Sequence, residues 1–101
     1  MLRITDIRET LSDGGTVWTL KLEGTIQGAW VNELRRAWRA VRLAASGASI
    51  RLVLGSVERV DAAGMALLRE MHRDGVGIVA SDPFTAAIRA EVVEGVPESD
   101  E

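Results

Sequence analysis

Few side chains in this sequence could make or break bonds, and their spacing keeps them apart. His72 is the one histidine. As a general base it would need a nucleophile beside it, yet neither Ser56 nor Ser81 stands at a recognisable triad spacing from it. Its neighbours Glu70, Met71 and Arg73 read instead as the surface of a helix. The sequence contains no cysteine, which excludes thiolate metal ligation, thiol catalysis and disulfides. Gly24-x-x-x-Gly28 lacks the Lys-Ser/Thr that completes a phosphate-cradling loop, so no nucleotide site is legible as a motif. The expectation is a chain that is not an enzyme and holds neither metal nor cofactor.

The richest local pattern is Asp61-Ala62-Ala63-Gly64. Asp61 precedes an apolar-periodic run and reads as the N-cap of a helix, its carboxylate accepting from free amides of the first turn. Gly64 falls at the third helical position, where glycine costs about 1 kcal/mol against alanine. That cost marks a close approach of another backbone, in this chain or in a partner. Arg59 stands two residues before Asp61, as a surface ion pair worth about 0–1 kcal/mol or as a contact of a binding face. Arg35, Arg36, Arg39 and Arg42 line the outer side of a helix, a solvated face or a docking surface for acidic partners.

These residues need elements to position them. Leu2 to Ile7 reads as a strand, Asp13-Gly14-Gly15 as a hairpin turn, and Thr16 to Glu23 as a strand with Trp18, Leu20 and Leu22 on one face. Ala29 to Ala45 reads as an amphipathic helix along Trp30, Leu34, Trp38, Val41 and Ala45, stopped by Ser46-Gly47. Ile50 to Leu54 follows as a strand, then a loop closing on Asp61, then a helix to about Arg73. Asp74-Gly75 ends that helix and Val76 to Ala80 forms a short strand. Asp82 and Pro83 open a last helix with Phe84, Ile88 and Val92 on its apolar edge and Gly95 closing it. The three tryptophans and Phe84 all read as core. The order β-β-α-β-α-β-α predicts one α/β domain: a four-stranded mixed sheet with helices mainly on one face.

Composition agrees. A chain of 101 residues, 47% hydrophobic, suffices for one core. It spans residues 1–95, with residues 96–101 as an acidic, disordered tail. Setting aside Glu94, Glu98, Asp100 and Glu101 leaves 11 acids against 12 bases, a near-neutral body that is a poor footprint for nucleic acid. No apolar run approaches the roughly 18 residues of a membrane span and no signal peptide is evident, which predicts a cytoplasmic protein without membrane insertion.

Two segments carry a family resemblance. Leu22-Glu23-Gly24-Thr25-Ile26-Gln27 resembles the L-x-G-x-L-D of STAS domains, the sulphate-transporter and anti-sigma-factor-antagonist family. Ile50 to Met71, IRLVLGSVERVDAAGMALLREM, resembles the switch segment of that family, with Val57, Val60, Asp61, Gly64 and Leu67 or Leu68 as its apolar and D-x-x-G frame. The resemblance implies a bacterial protein-interaction module in transcriptional signalling, whose partner is an anti-sigma factor of ATPase fold. The implied binding face comprises Gln27, Ser56, Arg59, Asp61, Ala62, Ala63 and Gly64. The phosphoserine of the family falls on Ala62, so phosphorylation there is impossible; the second serine falls on Ala63 and two acids fall on Gln27 and Val53. The alternatives are a STAS subunit contacting a transporter ATPase and a sensor domain for a small apolar ligand.

Overall fold

The computed structural model describes residues 1–45 and 48–94. The expected helix stop at Ser46-Gly47, the close at Gly95 and the acidic tail therefore lie outside the described residues. Seven elements appear in the expected order: β1 (Leu2–Thr10), β2 (Thr16–Ile26), α1 (Ala29–Ala44), β3 (Ser49–Val60), α2 (Ala62–Arg73), β4 (Gly77–Ala80) and α3 (Pro83–Glu94). The sheet runs β1-β2-β3-β4, with β1 antiparallel to β2 and the other neighbours parallel. The hairpin turn closes through Leu11 N–H to the Gly15 carbonyl at 2.7 Å and Gly15 N–H to Asp13 Oδ1 at 2.9 Å.

Strand register assembles the core. Leu20, Leu52 and Ile78 lie side by side across three strands, with Leu22, Leu54 and Ala80 in the next row. Side chains paired in register share a face, so these rows form one apolar surface. Against it pack Val31, Leu34, Trp38 and Val41 of α1, Leu67, Leu68 and Met71 of α2, and Ile88 and Val92 of α3. The alternate rows hold Thr5, Lys21, Val53 and Val79, and Ile7, Thr19, Arg51 and Gly77. Lys21, Arg51 and Val79 among them are exposed, which leaves the second face of the sheet to solvent. The two parallel crossovers, advancing in one direction, place α1 and α2 on a single side, and α3 joins the same core through Ile88 and Val92.

Three expectations about the elements require correction. β3 continues through Val60 instead of giving way to a loop after Leu54, because register shifts at Leu22/Glu23 and Gly24/Thr25 absorb the irregular pattern and keep the pairing with β2. Trp30 and Phe84 are 38% and 48% exposed. Each stands in the first turn of its helix, beyond the end of the apolar sheet surface. Thr85, fully buried, takes the inward position of α3, its hydroxyl within 3.0 Å of Asp82 Oδ1. Trp38 is buried and Trp18 partly so.

Candidate functional site

The carboxyl ends of β2 and β3 meet the amino ends of α1 and α2, and Asp61 joins all four. Its Oδ1 accepts from Gly64 N–H at 2.7 Å, the expected N-cap bond. Its Oδ2 accepts from Gly28 N–H at 3.0 Å, across 33 residues of sequence. Asp61 N–H donates to the Ile26 carbonyl at 3.1 Å, and its own carbonyl accepts from Met65 N–H at 2.9 Å. The Gly28 amide first and then the Gly64 amide favour the charged carboxylate and hold its pKa below the ordinary value, against an opposing desolvation and with a lesser contribution from the Asp61 amide. Gly28, at φ 59°, sits in the left-handed region that turns this amide toward Asp61.

Gly64 resolves as a contact within this chain. A Cβ there would come within 2.6 Å of the Ile26 carbonyl oxygen and 2.8 Å of Val60 Cγ1. Its cost to the helix is the condition for α2 to lie against the end of β2. Gln27 is half-buried beside the junction, and Ala62 and Ala63 are exposed on the first turn of α2. Ser56 and Arg59 are exposed within β3, opposite Glu23 and Thr25 of β2, not on an adjoining loop. Arg59 makes no ion pair among the described residues. The junction thus consists of a carboxylate whose strong acceptor positions are already used by the chain itself. Nothing in local spacing links Asp61 to Gly28, and sequence reading missed that bond.

The arginines of α1 are mostly engaged. Arg35 pairs with Glu70 at 2.9 Å, Arg36 with Glu33 at 3.0 Å and Arg42 with Asp74 at 3.2 Å. Arg35–Glu70 and Arg42–Asp74 tie α1 to α2 and its end, which favours the solvated-face reading over an acidic docking surface. His72 is half-buried in the last turn of α2. Ser81 Oγ, just past the end of β4, donates to the Gly55 carbonyl of β3 at 3.1 Å, a structural bond. No cluster of three or more His, Asp or Glu side chains that could hold a metal occurs among the described residues.

A second concave region, absent from the sequence reading, lies between the hairpin and α1. An apolar groove of about 370 Å³ is walled by Trp18 and Leu20 of the sheet and Ala37, Ala40 and Ala44 of the helix, with Asp6 at its lip. It adjoins a polar hollow of about 360 Å³ bounded by Arg8, Thr10 and Thr16. Trp18 and Ala44 line both. The Arg8 guanidinium lies over the Trp18 ring, 5.6 Å from its centroid.

A scan against protein-family models finds no match. Comparison with curated sequences finds the bifunctional purine biosynthesis protein PurH of Mycobacterium leprae, 35% identical over 102 residues that cover 90% of this chain and 19% of that protein. PurH of Cutibacterium acnes is 33% identical over 88 residues, 79% of this chain and 17% of that protein. PurH of Mycobacterium marinum is 33% identical over 87 residues, covering 78% and 17%. The chain spans about a fifth of the length of these relatives. These similarities overturn the STAS resemblance, and with it the anti-sigma-factor antagonist, the transporter ATPase subunit and the apolar-ligand sensor. The reason is physical: Asp61 caps α2 and Gly64 makes room for the Ile26 carbonyl, so contacts within this chain account for both residues. The D-x-x-G frame therefore reports a packing requirement, not a family.

Proposed function

We propose that this chain serves purine biosynthesis as a domain or dedicated subunit equivalent to the fifth of PurH that it matches. The observation that carries this reading is the 35% identity extending over 90% of the chain, in a named purine biosynthesis protein. In this reading the chain acts in the cytoplasm beside the rest of such a protein. The exposed positions around the Asp61 junction, Gln27, Ser56, Arg59, Ala62 and Ala63, are the surface proposed to meet that remainder; Asp61 and Gly64 hold its shape.

A chimera tests this. The matched segment of M. leprae PurH is replaced with this chain, and growth without added purine is scored in cells lacking their own enzyme. PurH with the segment deleted serves as the control. Growth of the chimera where the deletion fails supports equivalence. A chimera that accumulates as intact soluble protein yet never supports purine-free growth would overturn it.

A further inference from the structure

We infer that the free edge of β1 pairs with the same edge of a second copy of this chain, antiparallel and centred on Ile7, joining the two sheets into one. The inference is independent of the purine-biosynthesis reading and rests on backbone direction, charge and one exposed side chain. The two edges of the sheet differ. β4 is four residues long, and so short an edge is a poor template for another strand. β1 is nine residues long and pairs with β2 without a register shift from Leu2 to Thr10, so its outer edge is an unbulged row of backbone donors and acceptors.

Parity fixes which backbone groups face outward. Thr25 N–H donates to the Met1 carbonyl at 2.7 Å and Leu11 N–H to the Gly15 carbonyl at 2.7 Å, at the two ends of the β1–β2 ladder. Backbone groups alternate sides along a strand, so the odd-numbered residues of β1 bond to β2. Ile4, Asp6, Arg8 and Thr10 therefore direct their N–H and C=O groups to the edge. A second β1 can satisfy them only where even residues stand opposite even ones, which places the two-fold axis on a residue.

Charge then selects among these registers. Centring on Thr5 sets Asp6 opposite Ile4, centring on Asp6 sets that carboxylate opposite its own copy, and centring on Arg8 does the same for the guanidinium. Like charges directly opposite destabilise a strand pair. Centring on Ile7 sets Asp6 of each copy opposite Arg8 of the other. Neither side chain has an ion-pair partner among the described residues. Both stand on the helix-covered face, opposite Leu20 and Trp18, and Arg8 is held there over the Trp18 ring, 5.6 Å from its centroid. On the open face Ile7, 42% exposed, meets its own copy in a non-hydrogen-bonded pair, where Cα atoms approach to about 4.5 Å and side chains touch. Ile4 falls opposite Thr10, which completes a ladder of about eight backbone hydrogen bonds.

The helices leave room for the second copy. α1 packs chiefly on β2 and turns its small Ala37, Ala40 and Ala44 toward the hairpin side. In the joined sheet β2 and its symmetry mate are three strand spacings apart, roughly 14 Å. Packed helices need about 8–10 Å, so two copies of α1 lie over the sheet without collision.

Sedimentation equilibrium of the full chain tests the pairing. The expected result is a monomer–dimer equilibrium with no larger species, because two identical edges paired about a two-fold axis close on themselves. Asp6→Arg and Arg8→Asp should each weaken self-association at least about tenfold, since each sets like charges opposite one another twice. Mixed in equal amounts, these two variants should dimerise as tightly as the native chain, because each supplies the charge the other lacks. Ile7→Lys should abolish the dimer. Amide exchange reads the register: protection at Ile4, Asp6, Arg8 and Thr10 should rise with concentration, while their odd-numbered neighbours in β1 stay protected throughout. Circular dichroism verifies that each variant is folded. A native chain that remains monomeric at millimolar concentration, or that forms open-ended oligomers, overturns the pairing. So does a dimer indifferent to Ile7→Lys, or a mixture of the two charge variants that fails to associate where the native chain does.

Discussion

The two ends of the helix-covered face contrast in how their polar groups are used. At the Asp61 junction, a carboxylate, three backbone amides and a carbonyl satisfy one another within 2.7–3.1 Å, and no Cβ fits at Gly64. At the hairpin groove, Asp6, Thr10 and Thr16 make no side-chain hydrogen bond among the described residues, and the helix wall is alanine. Both regions hold charge beside a helix end. One spends it on its own backbone and becomes a lock; the other leaves it facing open space. A conspicuous sequence pattern can therefore mark the part of a domain least available for binding.

The contrast can be broken most severely at Gly64. Gly64→Ala would ordinarily stabilise a helix by about 1 kcal/mol. Here the methyl meets the Ile26 carbonyl, and urea unfolding should show a loss of about 3 kcal/mol, typical of severe overpacking. Asp61→Ala removes the shared acceptor and frees two amides. A melting temperature lower by at least about 5 °C is expected for a domain of this size. An unchanged melting temperature would mean that the lock contributes nothing.

The same carboxylate carries a pH signature. Its folded-state pKa lies below the unfolded value, so its contribution is fully present above about pH 4 and is lost as pH falls through the folded pKa. The stability gap between the native chain and Asp61→Asn should be constant from neutral pH to about pH 5. It should close at more acid pH. A gap independent of pH down to the acid transition would exclude this origin.

Smaller effects sharpen the other side. Ala62→Asp puts a negative charge on the first turn of α2 and should raise stability by about 0.3–1 kcal/mol in chemical denaturation. In the PurH chimera the same change should impair purine-free growth if that surface meets the remaining protein. Arg35→Ala, which breaks a partly exposed pair with Glu70, should cost no more than about 1 kcal/mol. Asp6→Asn, on an exposed edge, should leave the unfolding midpoint within about 0.5 kcal/mol of the native chain. A large loss there would make Asp6 a structural residue.

Local periodicity made much of the architecture legible. Trp18, Leu20 and Leu22 alternate toward the helices, and Leu34, Trp38 and Val41 form the buried stripe of α1. Asp61 caps α2 and Asp82 opens α3, as their residue types require. The far half of β3 was not legible, because two register shifts let an irregular pattern stay paired. Trp30 and Phe84 were misplaced because an apolar stripe says which side of a helix faces inward, not where the sheet beneath it ends. The family reading failed at the strongest-looking motif because generic packing rules suffice to produce it.

The sequence by itself determined the element order, the mixed sheet and the single helix-covered face, since these follow from periodicity, capping and the handedness of parallel crossovers. Tertiary structure alone decided that Asp61 also binds Gly28, that Gly64 serves an internal contact, and that Asp6, Arg8 and Trp18 border a groove with Ala40. Those outcomes depend on how elements are offset from one another. The offset is set by the packing of side chains distant in sequence, which no local pattern records.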